Sequence, residues 1–442
     1  MSVSSSPQTP RPDDGRLEER EPETFVAGKE AASRLGRLLD ERFRRLVFCR
    51  LENLTEGRLA VIDGDETHLF GRCDSARSTI ELQVLSSRFY RRLALGGSFA
   101  AGEAYISGDW KCDELVELMS LFLRDEAFSA RLEGRFSRLT SLGRTIAHRM
   151  RRNTPVGSRR NISAHYDLGD DFFSLFLDDT MAYSCGIFPT PRSTLREASL
   201  EKFDRVCRKL RLRENDHVVE IGSGWGGFAV YAARNYGCRV TTTTISARQL
   251  EFTRDRVKQE GLAERITVLG EDYRNLTGHF DKLVSIEMIE AVGYEYFDTF
   301  FGACSKLLKP DGVMLLQAIT IPDQRFDRYR RSVDFLQQYI FPGGCLPSIG
   351  EMCKSLGRAT DMRVVHLEDL TAHYAQTLDN WRHRFRENIE KIRDLGFSEA
   401  FVRLWEFYFC YCEAGFRERT IADVQLLLCK PRCRREQNSA PA

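Results

Sequence analysis

Val218-Val219-Glu220-Ile221-Gly222-Ser223-Gly224-Trp225-Gly226-Gly227 is an apolar strand running into a glycine-rich turn, and Phe228 to Arg234 continues it as a helix. Strand, turn and helix together aim backbone N–H groups and the positive end of a helix dipole at a ligand. Glycine suits the turn because a side chain would hold the ligand off the backbone. The spacing satisfies G-x-G-x-x-G, which by itself fits a dinucleotide site equally well. Two details separate the alternatives. Glu220 lies two residues before the first glycine, at the carboxyl end of the strand, where a carboxylate can hold an ammonium group directly or through water. A dinucleotide site also wants an acid about 20 residues on, yet the next strand, Arg239 to Thr243, ends in a run of threonines, Thr241 to Thr244. These features favour S-adenosylmethionine over NAD.

Outward from this turn, strand and helix alternate. Strands are expected at His217–Ile221, Arg239–Thr243, Ile266–Leu269, Lys282–Ile286 and Gly312–Ile319, with helices at Gly226–Asn235, Ala247–Glu260 and Tyr296–Leu308. That order predicts a doubly wound α/β sheet with its ligand at the carboxyl ends of the strands. Residues 322–395 interrupt the alternation and read as a mostly helical cap, after which Phe401–Arg417 and Val424–Cys429 return the chain to the sheet. Before the sheet, residues 26–145 read as a smaller α+β domain: a helix over Ala31–Phe48, strands at Arg58–Ile62, His68–Phe70, Thr79–Leu85 and Phe89–Leu95, and a helix over Asp113–Leu123. Residues 1–25, rich in Ser, Pro and charge, read as a disordered tail, and 431–442 as a second tail.

The 442 residues exceed one ordinary core and suit two or three domains. A net charge of +1 gives no global attraction to polyanions, so any such attraction is local. It concentrates at 146–160 and its flanks: from Gly134 to Tyr166 there is no acid, while Arg135, Arg138, Arg144, Arg149, Arg151, Arg152, Arg159 and Arg160 stand there. A solvated connector and a contact with anionic lipid headgroups both fit such a basic linker. Nothing nearby reads bases, so no nucleic-acid partner is expected. No run of 18 apolar residues occurs, and the N-terminus lacks the apolar core of a secretory signal. The 13 cysteines form no disulfide framework, and Cys429 and Cys433 lack the companions that a metal site needs, so none is expected.

Seven segments need a chemical reason: AHYDLGDDFF (164–173), MAYSCGIF (181–188), EIGSGWGG (220–227), TISARQ (244–249), EMIEAVG (287–293), YIFPGGCLPS (339–348) and CEAGFRER (412–419). In this order they resemble the cyclopropane-fatty-acyl-phospholipid synthases and their mycolic-acid and fatty-acid methyltransferase relatives. The resemblance covers roughly residues 160 to 430. It implies a class I methyltransferase, with a Rossmann-like seven-stranded sheet, over 161–430, and a lipid-binding or dimerisation-type N-terminal domain.

Carried over residue by residue, the resemblance implies that Tyr183 and Ser184 contact the methionine part of S-adenosylmethionine. Gly222, Gly224 and Trp225 form the turn beneath it, Thr244 and Gln249 stand at the ribose, and Asp272 and Tyr273 flank the adenine. It further implies a bicarbonate ion held by Cys185, Glu290, Gln317, the backbone of Ile319, and Tyr374. Methyl transfer to an alkene leaves a carbocation, and closing a cyclopropane requires a base beside the new methyl. Phe172, Phe176 and Tyr339 are candidates to shield that cation, and His165 and Asp167 read as a hydrogen-bonded pair that fixes the lid. Cys412 matches a cysteine sometimes considered catalytic; with no base near it in sequence, a buried structural thiol is the better reading. The chain departs from the family's pattern at Gln317 and Ala291, where histidine is usual. Glutamine donates a hydrogen bond but relays no proton, which puts the product, cyclopropane or branched chain, in doubt.

The function expected is methylene transfer to the cis double bond of phospholipid acyl chains. The alternatives are a methyltransferase making branched chains and a non-catalytic lipid-binding protein of the same fold. A protein peripheral to the cytoplasmic face of the membrane, docking on phospholipid, is expected, with homodimerisation open.

Overall fold

The computed structural model describes residues 34–72, 79–125 and 168–434. The basic linker, residues 1–25, residues 435–442 of the second tail, His165 and Asp167 lie outside them.

The N-terminal part carries a helix (Arg34–Leu51), strands β1 (Arg58–Asp63), β2 (Glu66–Gly71) and β3 (Ile80–Val84), a helix (Arg88–Ile106), the short β4 (Trp110–Lys111) and a helix (Leu115–Arg124). The strands lie in the order β2-β1-β3-β4, with β1 antiparallel to β2 and parallel to β3. The strand expected at Phe89–Leu95 is instead the first half of the helix Arg88–Ile106. Phe89, Tyr90, Leu93 and Ala94 are all buried on one helical stripe. Gly97 then bends that helix by taking φ 64° and ψ −152°, a conformation only glycine adopts without strain.

The larger part is a seven-stranded sheet flanked by helices. Its strands are β5 (His217–Ile221), β6 (Arg239–Thr243), β7 (Ile266–Leu269), β8 (Phe280–Ile286), β9 (Leu308–Thr320), β10 (Arg363–Asp369) and β11 (Ala422–Cys429), in the order β10-β11-β9-β8-β5-β6-β7. The run β9-β8-β5-β6-β7 is parallel, while β11 is antiparallel to both β9 and β10. From β5 the order departs toward β6 on one side and β8 on the other. A crevice therefore opens at the carboxyl end of β5, where the glycine turn sits. The doubly wound fold expected from sequence is the one observed. The cap differs, because β10 falls inside 322–395 and extends the sheet at its edge.

The helix Glu399–Arg417 joins the two parts. Phe407, Cys410 and Ala414 pack with Leu93, Tyr105 and Leu118 of the N-terminal part, and Trp405, Phe409, Cys412 and Phe416 pack with the core beneath the site. Its apolar residues surround the helix, as burial on two sides requires.

Candidate active site

The turn after β5 has the geometry its glycines permit. Gly222 and Ser223 donate their N–H groups to Thr243 O at 3.0 and 2.9 Å, tying the turn to β6. Gly226 has φ +80°, and a Cβ there would lie 2.8 Å from Thr253 Cγ2. At Gly224, φ +48°, a Cβ would meet nothing within 4 Å.

A cavity of about 300 Å³ opens here, and Tyr183, Ser184, Glu220, Gly222, Gly224, Trp225, Thr244, Gln249, Asp272 and Tyr273 all line it. Neighbours hold these groups in place. The Trp225 indole donates to Asp170 (2.7 Å), the Tyr183 hydroxyl meets that of Tyr408 (2.9 Å), and Thr244 donates to Gln249 (2.9 Å). Asp272 is clamped by the Arg274 guanidinium at 2.6 and 2.8 Å. Glu220 accepts from Thr242 at 2.5 Å, and burial pushes its carboxyl up to about 8. A buried carboxyl with so little compensation suits a cationic ligand, since an ammonium group would restore its charge. Ser184 accepts from Lys202, a fully buried ammonium, at 2.6 Å. The residues present therefore fit S-adenosylmethionine.

The far wall corrects the expected anion site. Glu287 follows β8 in a left-handed backbone conformation, φ 47°, and its carboxylate collects three donors. They are the Cys185 N–H (2.8 Å), Gln317 Nε2 (2.8 Å) and the Tyr374 hydroxyl (2.7 Å). The Ile319 N–H donates instead to Glu290 Oε1 at 2.6 Å. Every donor assigned to bicarbonate is thus engaged by a carboxyl group of the chain, which leaves none of them for a further anion. The residues do not fit that ion.

Burial pushes all three carboxyls up. Glu290 reaches about 8, with the Glu287 charge adding to burial. Asp423 rises well above its ordinary value, burial and the Glu287 and Glu290 charges acting together. Glu287 is raised by burial and pulled back by Lys202 and its hydrogen bonds. Oε2 of Glu290 is buried with no hydrogen-bond partner, and the residue lines the cavity.

Other expectations change with the packing. Cys185 contributes its backbone N–H, while its thiol faces Gly186 O (3.1 Å) and burial raises it well above its ordinary value. Cys412 lines the cavity, but burial raises its thiol too, so it is no thiolate. Phe172 and Phe176 are core and do not line the cavity, and the Tyr339 hydroxyl donates to Glu103 at 2.6 Å. The aromatic wall is instead Tyr374, stacked on Phe416 at 4.3 Å, with Tyr183 and Phe341. Reading the sequence missed the part of Glu287, although it opens EMIEAVG; a left-handed glutamate has no local signature. It also missed Lys202 and Asp423, which reach the site only through tertiary packing.

The chain is similar to several known proteins. The family model described as mycolic acid cyclopropane synthetase matches residues 154–426. Tuberculostearic acid methyltransferase UfaA1 of Mycobacterium tuberculosis is 38% identical over 338 residues, 74% of this chain and 78% of that protein. The cyclopropane-fatty-acyl-phospholipid synthase of Escherichia coli K12 is 37% identical over 349 residues, 78% of this chain and 86% of that protein. Among solved structures, mycolic acid cyclopropane synthase CmaA1 complexed with SAH and CTAB is similar at 33% identity and a TM-score of 0.58, covering 62% of this chain and 98% of that one.

Proposed function

The chain belongs to the mycolic acid cyclopropane synthetase family of S-adenosylmethionine-dependent methyltransferases, and we propose that it alkylates the cis double bond of phospholipid acyl chains, with Glu287 as the base. The observation that carries this reading is one cavity with two unlike ends. The glycine turn and Glu220 form one. At the other, Glu287 and Glu290 adjoin a wall of Leu336, Phe341, Leu346, Leu378, Phe416 and Ile421 that suits an acyl chain.

When bound, S-adenosylmethionine supplies an electrophilic methyl group on a positively charged sulfur. An alkene would take that methyl as the sulfur leaves with the bonding pair as a neutral thioether, and the neighbouring carbon of the chain would become cationic. Tyr374 and Phe416, stacked on one another, both line the cavity, and their π-systems suit a neighbouring cation. The Glu287 carboxylate, held by Tyr374, Gln317 and Cys185, takes a proton from the new methyl as the ring closes. Here a side chain of the protein does the work that the resemblance gives to bicarbonate.

The second reading is a branched product, in which a hydride shift precedes loss of the proton. Its support is the 38% identity to a tuberculostearic acid methyltransferase. With a phospholipid substrate, the proposed place of action is a bilayer surface, on the cytoplasmic face. Among the described residues no helix is long and apolar enough to cross a membrane.

Expression in a host lacking its own cyclopropane synthase tests the proposal. Phospholipid fatty acids should gain one CH2 at the expense of unsaturated chains by mass spectrometry. NMR then separates cyclopropane from methylene-branched products of the same mass. No change in any acyl chain, with cofactor bound, would leave the lipid-binding reading.

A further inference from the structure

A row of polar side chains crosses the sheet behind the site. Glu368 on β10 lies in register with Gln425 on β11, and Gln425 with Gln317 on β9. Gln317 and Gln425 are fully buried, and between apolar strands such groups persist only with every partner in place. Lys209, on the helix Leu195–Leu210 and 1% exposed, covers the row. It donates to Glu368, and to Gln425 Oε1 at 2.8 Å. Gln425 Nε2 donates to Gln317 Oε1 at 2.9 Å, and Gln317 Nε2 donates to Glu287 at 2.8 Å and to Asp423 at 3.0 Å. Arg205 closes the outer end by donating to Glu368 at 2.7 Å.

We propose that Lys209 and Gln425 are positioning residues that fix which way Gln317 faces, and so whether it presents donors to Glu287. The argument follows from what each group can do. An ammonium only donates, whereas an amide has one donating end and one accepting end. Lys209 therefore turns the Gln425 oxygen toward itself. That leaves the Gln425 NH2 for the Gln317 oxygen, and the Gln317 NH2 for the two carboxyls. Reversing the row would set an NH2 against an ammonium at one end and an oxygen against two carboxyls at the other. The cation on the back of the sheet thus sets the hydrogen bonding of a carboxylate two side chains away.

The inference rests on Glu287 being the base only for its effect on rate; the effect on ionisation is independent of that. Glu287 also faces Lys202 from the helix Leu195–Leu210, Tyr374 from the cap, Asp423 from β11 and the neighbouring Glu290. All of these are kept in the variants below. Gln425→Glu keeps the shape and the acceptor for Lys209 but gives Gln317 nothing to accept from. Gln317 then turns its NH2 outward and its oxygen to Glu287, favouring the protonated carboxyl. In Lys209→Met, Glu368 loses a donor and draws the Gln425 NH2 to itself, with the same result. Lys209→Arg keeps a cationic donor.

Infrared titration of the whole, cofactor-free protein reads the carboxyl band of Glu287, assigned by its loss in Glu287→Gln. Gln425→Glu and Lys209→Met should each move its midpoint upward by about one pH unit, a tenfold change in ionisation, and Lys209→Arg should leave it in place. The acidic limb of kcat against pH should move with it, while KM for S-adenosylmethionine stays unchanged. A midpoint that does not move in Gln425→Glu, whatever happens to rate or Tm, overturns the proposal and leaves a structural role. If the midpoint moves but Glu287→Gln turns over with the parent's pH profile, the relay stands and the assignment of the base falls.

Discussion

A left-handed backbone at a side chain with a Cβ costs about 1–2 kcal/mol, and Glu287 holds one at φ 47°. Three donors keep it there, so strain and hydrogen bonding meet at the residue proposed as base. Glu287→Gln should lower kcat by roughly 10²–10⁴-fold and leave cofactor affinity unchanged, as calorimetry and steady-state rates would show. Glu287→Gly relieves the strain and frees the Cys185 N–H, Gln317 and Tyr374 donors. Activity lost in that variant should return in part with added bicarbonate, and a variant indifferent to bicarbonate would count against the reading of those donors as an anion site. Glu220 makes a separate prediction. Its carboxyl is neutral below about 8 in the free protein and becomes charged beside an ammonium. Affinity for S-adenosylmethionine should therefore rise by up to about tenfold per pH unit between pH 6 and 8 and then level off, and Glu220→Gln should flatten that profile. The sign for stability is opposite. A folded pKa above the ordinary 4.5 gives a contribution complete at acid pH and lost as pH rises through about 8. Glu220→Gln should then raise the Tm of the free protein above pH 8 and leave it unchanged near pH 5.

The helix Glu399–Arg417 decides more than its sequence suggests, because it serves two cores at once. Phe407 lies 4.7 Å from Phe335 and 5.6 Å from Tyr105, ring to ring, and Gly102 of the helix Arg88–Ile106 comes close to the first two. A Cβ on Gly102 would stand 2.9 Å from Phe335 and 3.0 Å from Phe407. Gly102→Ala should cost about 1–3 kcal/mol by overpacking, seen as a lower Tm, even though alanine favours a helix. Phe89–Leu95 misleads for a different reason: aromatic and leucine residues before Gly96 and Gly97 read as a strand by composition, whereas Phe89, Tyr90, Leu93 and Ala94, spaced around Arg91 and Arg92, are buried as one helical stripe. In β5, β6 and β7 the observed bounds are those read from sequence, since each strand lies between turns of strong local character.

Across the whole molecule, the N-terminal part shares a core with helices of the catalytic part through Phe335, Phe407, Cys410 and Ala414. The segment Phe335–Tyr339 also touches both sides: Tyr339 donates to Glu103, while neighbouring Leu336 and Phe341 line the cavity. A hydrogen bond to a carboxylate is worth about 1.5–3 kcal/mol. Tyr339→Phe should therefore loosen the apolar end of the cavity and raise KM for the lipid several-fold, with affinity for S-adenosylmethionine unchanged. Equal effects on both substrates would show that this contact does not act on the apolar end alone.

The sequence alone determined the doubly wound sheet and the glycine turn with Glu220, because alternating apolar strands and glycines act over a few neighbouring positions, and the family resemblance added Tyr183, Ser184, Thr244, Gln249, Asp272 and Tyr273, which line the same cavity. Tertiary structure decided what those motifs face. Glu287, Gln317 and Asp423 are far apart in the chain, and their meeting depends on the strand order β11-β9-β8 and on the register of Gln317 with Gln425. Burial then raises the Glu287 and Asp423 carboxyls, and the Gln317 amide donates to both. Hydrogen bonds are counted in space, so a chain read in one dimension names the donors but not the carboxylate that receives them.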